Sequence, residues 1–397
     1  KTYTVQAAAA GGVSFTGPAT SAAFVITGGA GNDTFNFGSA TNAAAETIIG
    51  GDGNDTVTMS AAATTAGTDT ITFATAAAAA DAATATADTL ILLGAAVTDT
   101  ITATLTNVSD VDVITISGIT TGAVSLTTAD GNTGATLTTV VTTSQTTGAL
   151  TFNGTAETNG KFSITGGGGD DVLTGGDGAD TLNGGDGGDT IVGGAGADTI
   201  NVGGGNNHAR GGKGLDTITL GTGSNRVIIG DDDVVAASAS LDTVTGLNLG
   251  ALSSVAGADV IAIGQGVLIN GDAASALAAG AGAVGSAAAG AAVLHVITPG
   301  VSAAVTANAT VFHVTGTTGT TLTSALNGAT VTGVTTGTSF VVAYYDADLN
   351  GGSLVVSQVF TGGDTTVAAG DTEVILLTGA MTATEYAALN VSNFVFI

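Results

Sequence analysis

Cysteine and tryptophan are absent, lysine and arginine together number five, prolines number two, and aromatic residues make up 4% of the 397 residues. Without cysteine there is no disulfide and no thiol chemistry, so a chain working outside the cell must be stapled by something else. Few aromatics, and an apolar share made largely of alanine and valine, argue against a thick globular core and for thin layers or coils. No Lys or Arg follows Arg226, so there is no clustered basic surface for phosphates, and nucleic acid is excluded as a partner. The stretch 273–345 carries no Asp, Glu, Lys or Arg, but Gly, Thr, Ser, Asn and Pro299 interrupt it and it reads as no membrane span. The sequence starts at Lys1 with no basic-then-apolar leader, which leads to the expectation of a processed chain, a fragment, or export by another route.

What is abundant is acid of one kind. Asp and Glu number 32 against five basic residues, a formal net charge of −27, and 28 of the 32 are aspartate. Glutamate favours helices, whereas aspartate favours turns and holds a short carboxylate close to its own backbone, as oxygen-ligated cation sites require. Calcium is the natural counter-ion for such a chain.

Repetition shows where those carboxylates fall. From Gly166 to Ile228 the chain runs in an unbroken nine-residue frame: GGGGDDVLT, GGDGADTLN, GGDGGDTIV, GGAGADTIN, VGGGNNHAR, GGKGLDTIT, LGTGSNRVI. Five of the seven units obey GGxGxDxUx in full, with U apolar. Two isolated units lie upstream, GGAGNDTFN at 28–36 and GGDGNDTVT at 50–58, starting 22 residues apart. Between them and the array, runs such as DTITATL, DVITISG and TLTTVVTT alternate apolar and polar residues between Gly and Asn turns, and are expected to be degenerate solenoid strands. After Asp233 the composition shifts. Strands are expected near Thr310–Val314, Phe340–Tyr345 and Leu354–Phe360, with at most one short helix around Ala273–Ala279, since Gly280, Gly282, Gly285 and Gly290 oppose a longer one.

The unit itself suggests its ligand. Paired glycines let the backbone take positive φ without a Cβ clash, forming a tight turn whose carbonyls converge. The aspartate adds charge, and the next three residues extend as a strand with U inward. Two units make one coil, so units 18 residues apart stack. A hard cation between stacked turns then takes carbonyl and carboxylate oxygens from both, approaching the six to eight oxygens calcium prefers. Without it, aspartates one strand spacing apart repel.

At Gly166–Ile228 the sequence resembles the RTX (repeats-in-toxin) family, and the match recurs at 28–36 and 50–58. The resemblance implies a parallel β-roll, calcium as cofactor, and export by type I secretion. It implies metal ligation by Asp171, Asp180, Asp189, Asp198 and Asp216, and by Asp33 and Asp55 in the upstream units. It adds the turn backbones at Gly167, Gly169, Gly176, Gly178, Gly185, Gly187, Gly194, Gly196, Gly212 and Gly214. Asn207 and Asn225 depart from the pattern, offering a neutral oxygen and no charge, so calcium is expected to be lost or weakened there. Asp231, Asp232 and Asp233, after the last unit, read as a final calcium site or a charged end cap on the edge of Asp180, Asp198 and Asp216. LDTVTGLNLG, GADVIAIG and the ending NFVFI are similar to the family's uncleaved C-terminal secretion regions. The expected fold is all-β: a degenerate β-solenoid with two isolated RTX turns over 1–165, an RTX β-roll over 166–234, and a β-rich secretion and capping domain over 235–397.

No catalytic constellation is found. None of His208, His295 and His313 begins an HExxH helix, and no serine sits in GxSxG. His295 and His313 lie in apolar strand contexts and His208 in a degenerate turn, where it is expected to be exposed. The acidic, cysteine-free, lysine-poor, Ala-, Thr- and Gly-rich composition is most similar to the RTX-bearing S-layer proteins of Gram-negative bacteria. That resemblance implies a non-enzymatic protein of the extracellular cell surface. Its implied partners are copies of itself in a calcium-dependent lattice, the type I secretion machinery, and a cell-surface polysaccharide bound through a part upstream of Lys1. The alternative is the calcium-folding and secretion half of a larger RTX toxin, protease or adhesin.

Overall fold

The computed structural model describes residues 12–17, 25–37, 47–60, 70–72, 88–93, 101–105, 108–109, 111–130, 138–143, 146–229, 242–248, 259–263, 290–291, 294–297, 303–304, 311–314, 331–332, 339–346, 353–360, 372–378 and 394–396. Among them every regular element is a strand. Two compact units are present, Lys1–Ala195 and Gly196–Ile397.

In the first unit the chain climbs as a parallel β-solenoid. One sheet is laid down by Ser14–Thr16, Thr34–Phe37, Thr56–Ser60, Thr89–Leu93, Val113–Ser117, Thr138–Thr143, Lys161–Gly168 and Thr181–Asp186, each parallel to the strand before it. Between visits to that sheet the chain lays down a second, through Ile101–Thr104, Val124–Thr127, Leu150–Asn153, Val172–Thr174 and Thr190–Ala195, again parallel. A third sheet joins Val25–Ala30, Thr47–Asp52, Thr70–Thr72 and Val108–Ser109. The Thr- and Val-rich runs upstream of Gly166 are therefore solenoid strands, as their alternation predicts. Lys161–Gly168 carries the first sheet without a break across positions 165 and 166.

The alternation works because side chains along a strand point to opposite faces. Phe35, Val57, Leu90, Ile114, Val141, Ile164 and Leu182 stack inward in register and are at most 1% exposed. Phe152, Leu173 and Ile191 do the same in the second sheet. Phe152 meets Phe162 edge-on, with ring centroids 5.0 Å apart. A coil buries few side chains, each contributing about 1.5–3 kcal/mol, so the interior is a thin seam rather than a thick core.

The second unit opens with the same construction. Thr199–Asn201, Thr217–Thr219 and Thr243–Thr245 form one parallel ladder; His208–Lys213, Arg226–Ile229, Val260–Ile263 and Phe394–Phe396 form another. Ile200, Ile218 and Val244 stack inside the first, and Ala209, Val227 and Ile261 inside the second. The three strands expected downstream are found as Val311–Val314, Ser339–Asp346 and Ser353–Phe360. Ser339–Asp346, Ser353–Phe360 and Thr372–Thr378 form an antiparallel meander, irregular between Val356 and Ser357. The helix expected around Ala273–Ala279 lies outside the described residues.

Glycine is needed where coils touch. Positive φ occurs at both the second and the fourth position in six of the nine units, as at Gly185 (+106°) and Gly187 (+134°). A Cβ on Gly187 would run into the carbonyl oxygen of Gly169 one coil below. Gly187→Ala is therefore expected to destabilise the calcium-loaded chain by about 2 kcal/mol. Exposed Thr190→Ala should change stability by less than about 0.5 kcal/mol. Thermal unfolding of the two variants in saturating calcium checks the contrast.

Candidate calcium-binding turns

The aspartates of the nonapeptides form a ladder. Oδ1 of Asp171, Asp180, Asp189 and Asp216 accepts a backbone N–H from the coil before it: Leu150 to Asp171 at 2.6 Å, Phe162 to Asp180 at 2.7 Å, Asp171 to Asp189 at 2.9 Å, and Asp198 to Asp216 at 2.8 Å. The two upstream units are consecutive rungs of one ladder, in which Val13 donates to Asp33 at 2.6 Å and Asp33 to Asp55 at 2.9 Å. All seven nonapeptide aspartates are at most 1% exposed. One carboxylate oxygen thus ties two coils together, and the other is left to face the turn.

That second oxygen defines the site. Oδ2 of Asp33, Asp171 and Asp216 is buried with no hydrogen-bond partner. It lies against the first glycine of its own unit, Gly28, Gly166 and Gly211 in turn, where a Cβ would collide with it. At Gly28, Gly166 and Gly175 the carbonyl oxygen of the first glycine in the next stacked unit, Gly50, Gly184 and Gly193, meets the same point. In Asp180 the outer oxygen also accepts the Gly176 N–H at 2.8 Å.

Carboxylate and carbonyl oxygens therefore converge on a cradle that a side chain would fill. Among the described residues no three His, Asp or Glu side chains form a cluster. A cation here would draw on one carboxylate per turn and on backbone carbonyls, the hard oxygen set that suits calcium.

Of the glycines expected to offer turn backbone, Gly167, Gly169, Gly185, Gly187, Gly194, Gly196, Gly212 and Gly214 have positive φ. Gly176 and Gly178 are not among the positive-φ glycines, and they pack against the carbonyls of Glu157 and Gly160 in the 154–160 loop.

The electrostatics suit a cation site. Burial pushes the Asp171 carboxyl up to about 7, with the Asp189 and Asp170 charges adding to it and the Leu150 N–H opposing. Burial raises Asp180 to about 6, against the Gly176 and Phe162 N–H groups, with the Glu157 charge raising it further. Asp189 and Asp216 are raised by burial as well. A buried carboxylate needs a proton or a metal beside it.

The two asparagine turns differ. Asn207 and Asn225 hold the same buried ladder position, but their Nδ2 groups donate to turn carbonyls, to Gly205 at 3.4 Å and to Gly221 at 3.2 Å. His208 is exposed, as expected, and His295 and His313 lie within strands. Asp231, Asp232 and Asp233 lie outside the described residues; the ladder position after Asp216 belongs to Asp242, which accepts the Asp216 N–H at 2.9 Å.

Sequence reasoning missed several rungs. Asp88 accepts from Asp55 at 2.8 Å, Asp112 from Asp88 at 2.9 Å, and Asp259 from Asn225 at 2.7 Å. Their signal is faint: an aspartate, then Thr or Val, then an apolar residue, without the glycines. Glu157, fully buried, was also missed; its Oε1 accepts the Gly160 N–H at 3.0 Å.

A family model for the RTX calcium-binding nonapeptide repeat matches four stretches, residues 25–42, 40–58, 163–191 and 192–227. No curated protein and no solved structure matches the chain. The matched stretches hold both upstream turns and the nonapeptides that carry the Asp171–Asp189 pair and the Asn207–Asn225 pair of rungs. The chain thus carries RTX nonapeptide repeats folded as a parallel β-roll, and calcium is the ion those repeats bind.

Proposed function

We propose that the chain is a non-enzymatic structural protein that folds on calcium outside the cell and assembles with copies of itself into a calcium-dependent surface layer. One observation carries the reading: the aspartate ladder and its parallel sheet continue through Asp88 and Asp112, outside the matched repeats. Calcium-driven folding needs only the repeats. Extending the same coil beyond them builds surface, and the outward rows are hydroxyl- and amide-bearing, as at Thr34 and Asn36, rather than apolar.

RTX repeat proteins are typically exported by type I secretion. Extracellular calcium modules bind with Kd around 10⁻⁴–10⁻³ M, far above cytosolic calcium, so the chain stays unfolded and threadable until it leaves. In this reading Asp171, Asp180, Asp189, Asp198 and Asp216, with Asp33 and Asp55, hold calcium with the turn carbonyls. A cell-surface polysaccharide is the anchoring partner.

Electron microscopy of the purified chain with calcium and then with chelator tests the proposal. Ordered sheets are expected with calcium and are expected to disperse with chelator. Monodisperse particles under both conditions would exclude surface assembly and favour a calcium-folding segment of a larger toxin, protease or adhesin.

A further inference from the structure

We infer that the turn at Asn225 is closed by its own side-chain amide and takes no calcium, so that the roll contains ion-filled rungs and amide-filled rungs side by side. Asn225 is 2% exposed and its polar groups are engaged within the ladder. Oδ1 accepts from the Asn207 backbone N–H at 3.2 Å and from Asn207 Nδ2 at 3.0 Å. Nδ2 donates to the Gly221 carbonyl at 3.2 Å, and a side-chain hydrogen bond also joins Asn225 to the Asp259 carboxylate.

A primary amide has two N–H donors. Here they lie between a turn carbonyl and a buried carboxylate, which is the place a cation takes when aspartate holds the turn. Asp259 is satisfied without metal: its Oδ1 accepts the Asn225 N–H at 2.7 Å and its Oδ2 the Asn248 N–H at 2.7 Å. In the Asp216 turn, by contrast, Oδ2 is buried with no hydrogen-bond partner and faces Gly211. An ion entering the Asn225 turn would have to break the amide's bonds to Gly221 and Asp259 and would meet a neutral amide oxygen in place of the turn's own carboxylate, whereas at Asp216 it meets a carboxylate oxygen without a hydrogen-bond partner.

The same logic extends to Asn207, whose Nδ2 donates to Gly205. These two rungs keep their register by amide hydrogen bonds, so their geometry does not depend on calcium concentration in the way that the aspartate rungs do. The inference rests on calcium binding at the aspartate turns and not on surface assembly.

Counting bound calcium on the full chain by equilibrium dialysis tests it, and the count is read whether or not sheets form. Wild type and Asn225→Ala are expected to bind the same number of ions. Asn225→Asp, which removes the amide donors and sets a carboxylate beside Asp259, is expected to bind one more. A lower count in Asn225→Ala, or no gain in Asn225→Asp, overturns the inference. Should either variant fail to fold, a crystal structure of the wild-type chain in saturating calcium reads the same point. An amide bridging Gly221 and Asp259 supports it; an ion between them refutes it.

Discussion

Removing calcium is expected to abolish the β-sheet circular dichroism of at least Gly166–Ile229, and restoring calcium to recover it. Each nonapeptide orders nine residues at roughly 1–2 kcal/mol of backbone entropy apiece, yet buries little more than one apolar side chain, such as Leu173, Leu182 or Ile191. It also buries an aspartate whose outer oxygen, in Asp171 and Asp216, has no hydrogen-bond partner. Calcium at ten times its Kd stabilises the fold by about 1.4 kcal/mol per site, so five aspartate turns contribute on the order of 7 kcal/mol. That is comparable with the whole stability of an ordinary domain. An unchanged β signal after exhaustive chelation would refute this account.

Protons should act as a weak substitute for the metal, with opposite signs in the two states. In the calcium-free chain the folded carboxyls are raised, Asp171 to about 7 and Asp180 to about 6 from 3.8. The folded state therefore binds protons more tightly than the unfolded one. The calcium-free fold gains stability as pH falls from about 7 towards about 4, and that gain is lost as pH rises through 6 to 7.

With calcium present, protons compete for the same oxygens, and the calcium concentration at half-folding should rise at least tenfold between pH 7.5 and pH 5. A calcium titration followed by circular dichroism at the two pH values measures the shift. A midpoint independent of pH would show that these carboxylates do not hold the ion. Residual β structure at pH 5 but not at pH 8 in chelator would support the proton arm.

Calcium, the parallel coil and the inward stack were all legible along the chain. Gly and Asp in a nine-residue frame are constraints between near neighbours, and a period of 18 stacks each aspartate over the next, as between Asp171 and Asp189. The upstream Asp33 and Asp55 turns were legible for the same reason, although their coil is 22 residues long.

Only the folded chain decided the rest. Asp88 follows Asp55 after 33 residues, and Asp259 follows Asn225 after 34. The ladder holds across these unequal spacings, so it survives while the period disappears from the sequence. Glu157 reaches the Asp180 turn because the 154–160 loop takes the place of a nonapeptide.

The asparagine rungs show the division of labour most directly. Reading Asn207 and Asn225 as lost charges needed only the one-dimensional pattern. Which atom replaces the ion depended on where Gly221 O and the Asp259 carboxylate stand in space. Repeats specify what lies one coil away at constant spacing; contacts between coils of unequal length are set by sheet register, which forms only when the coils stack.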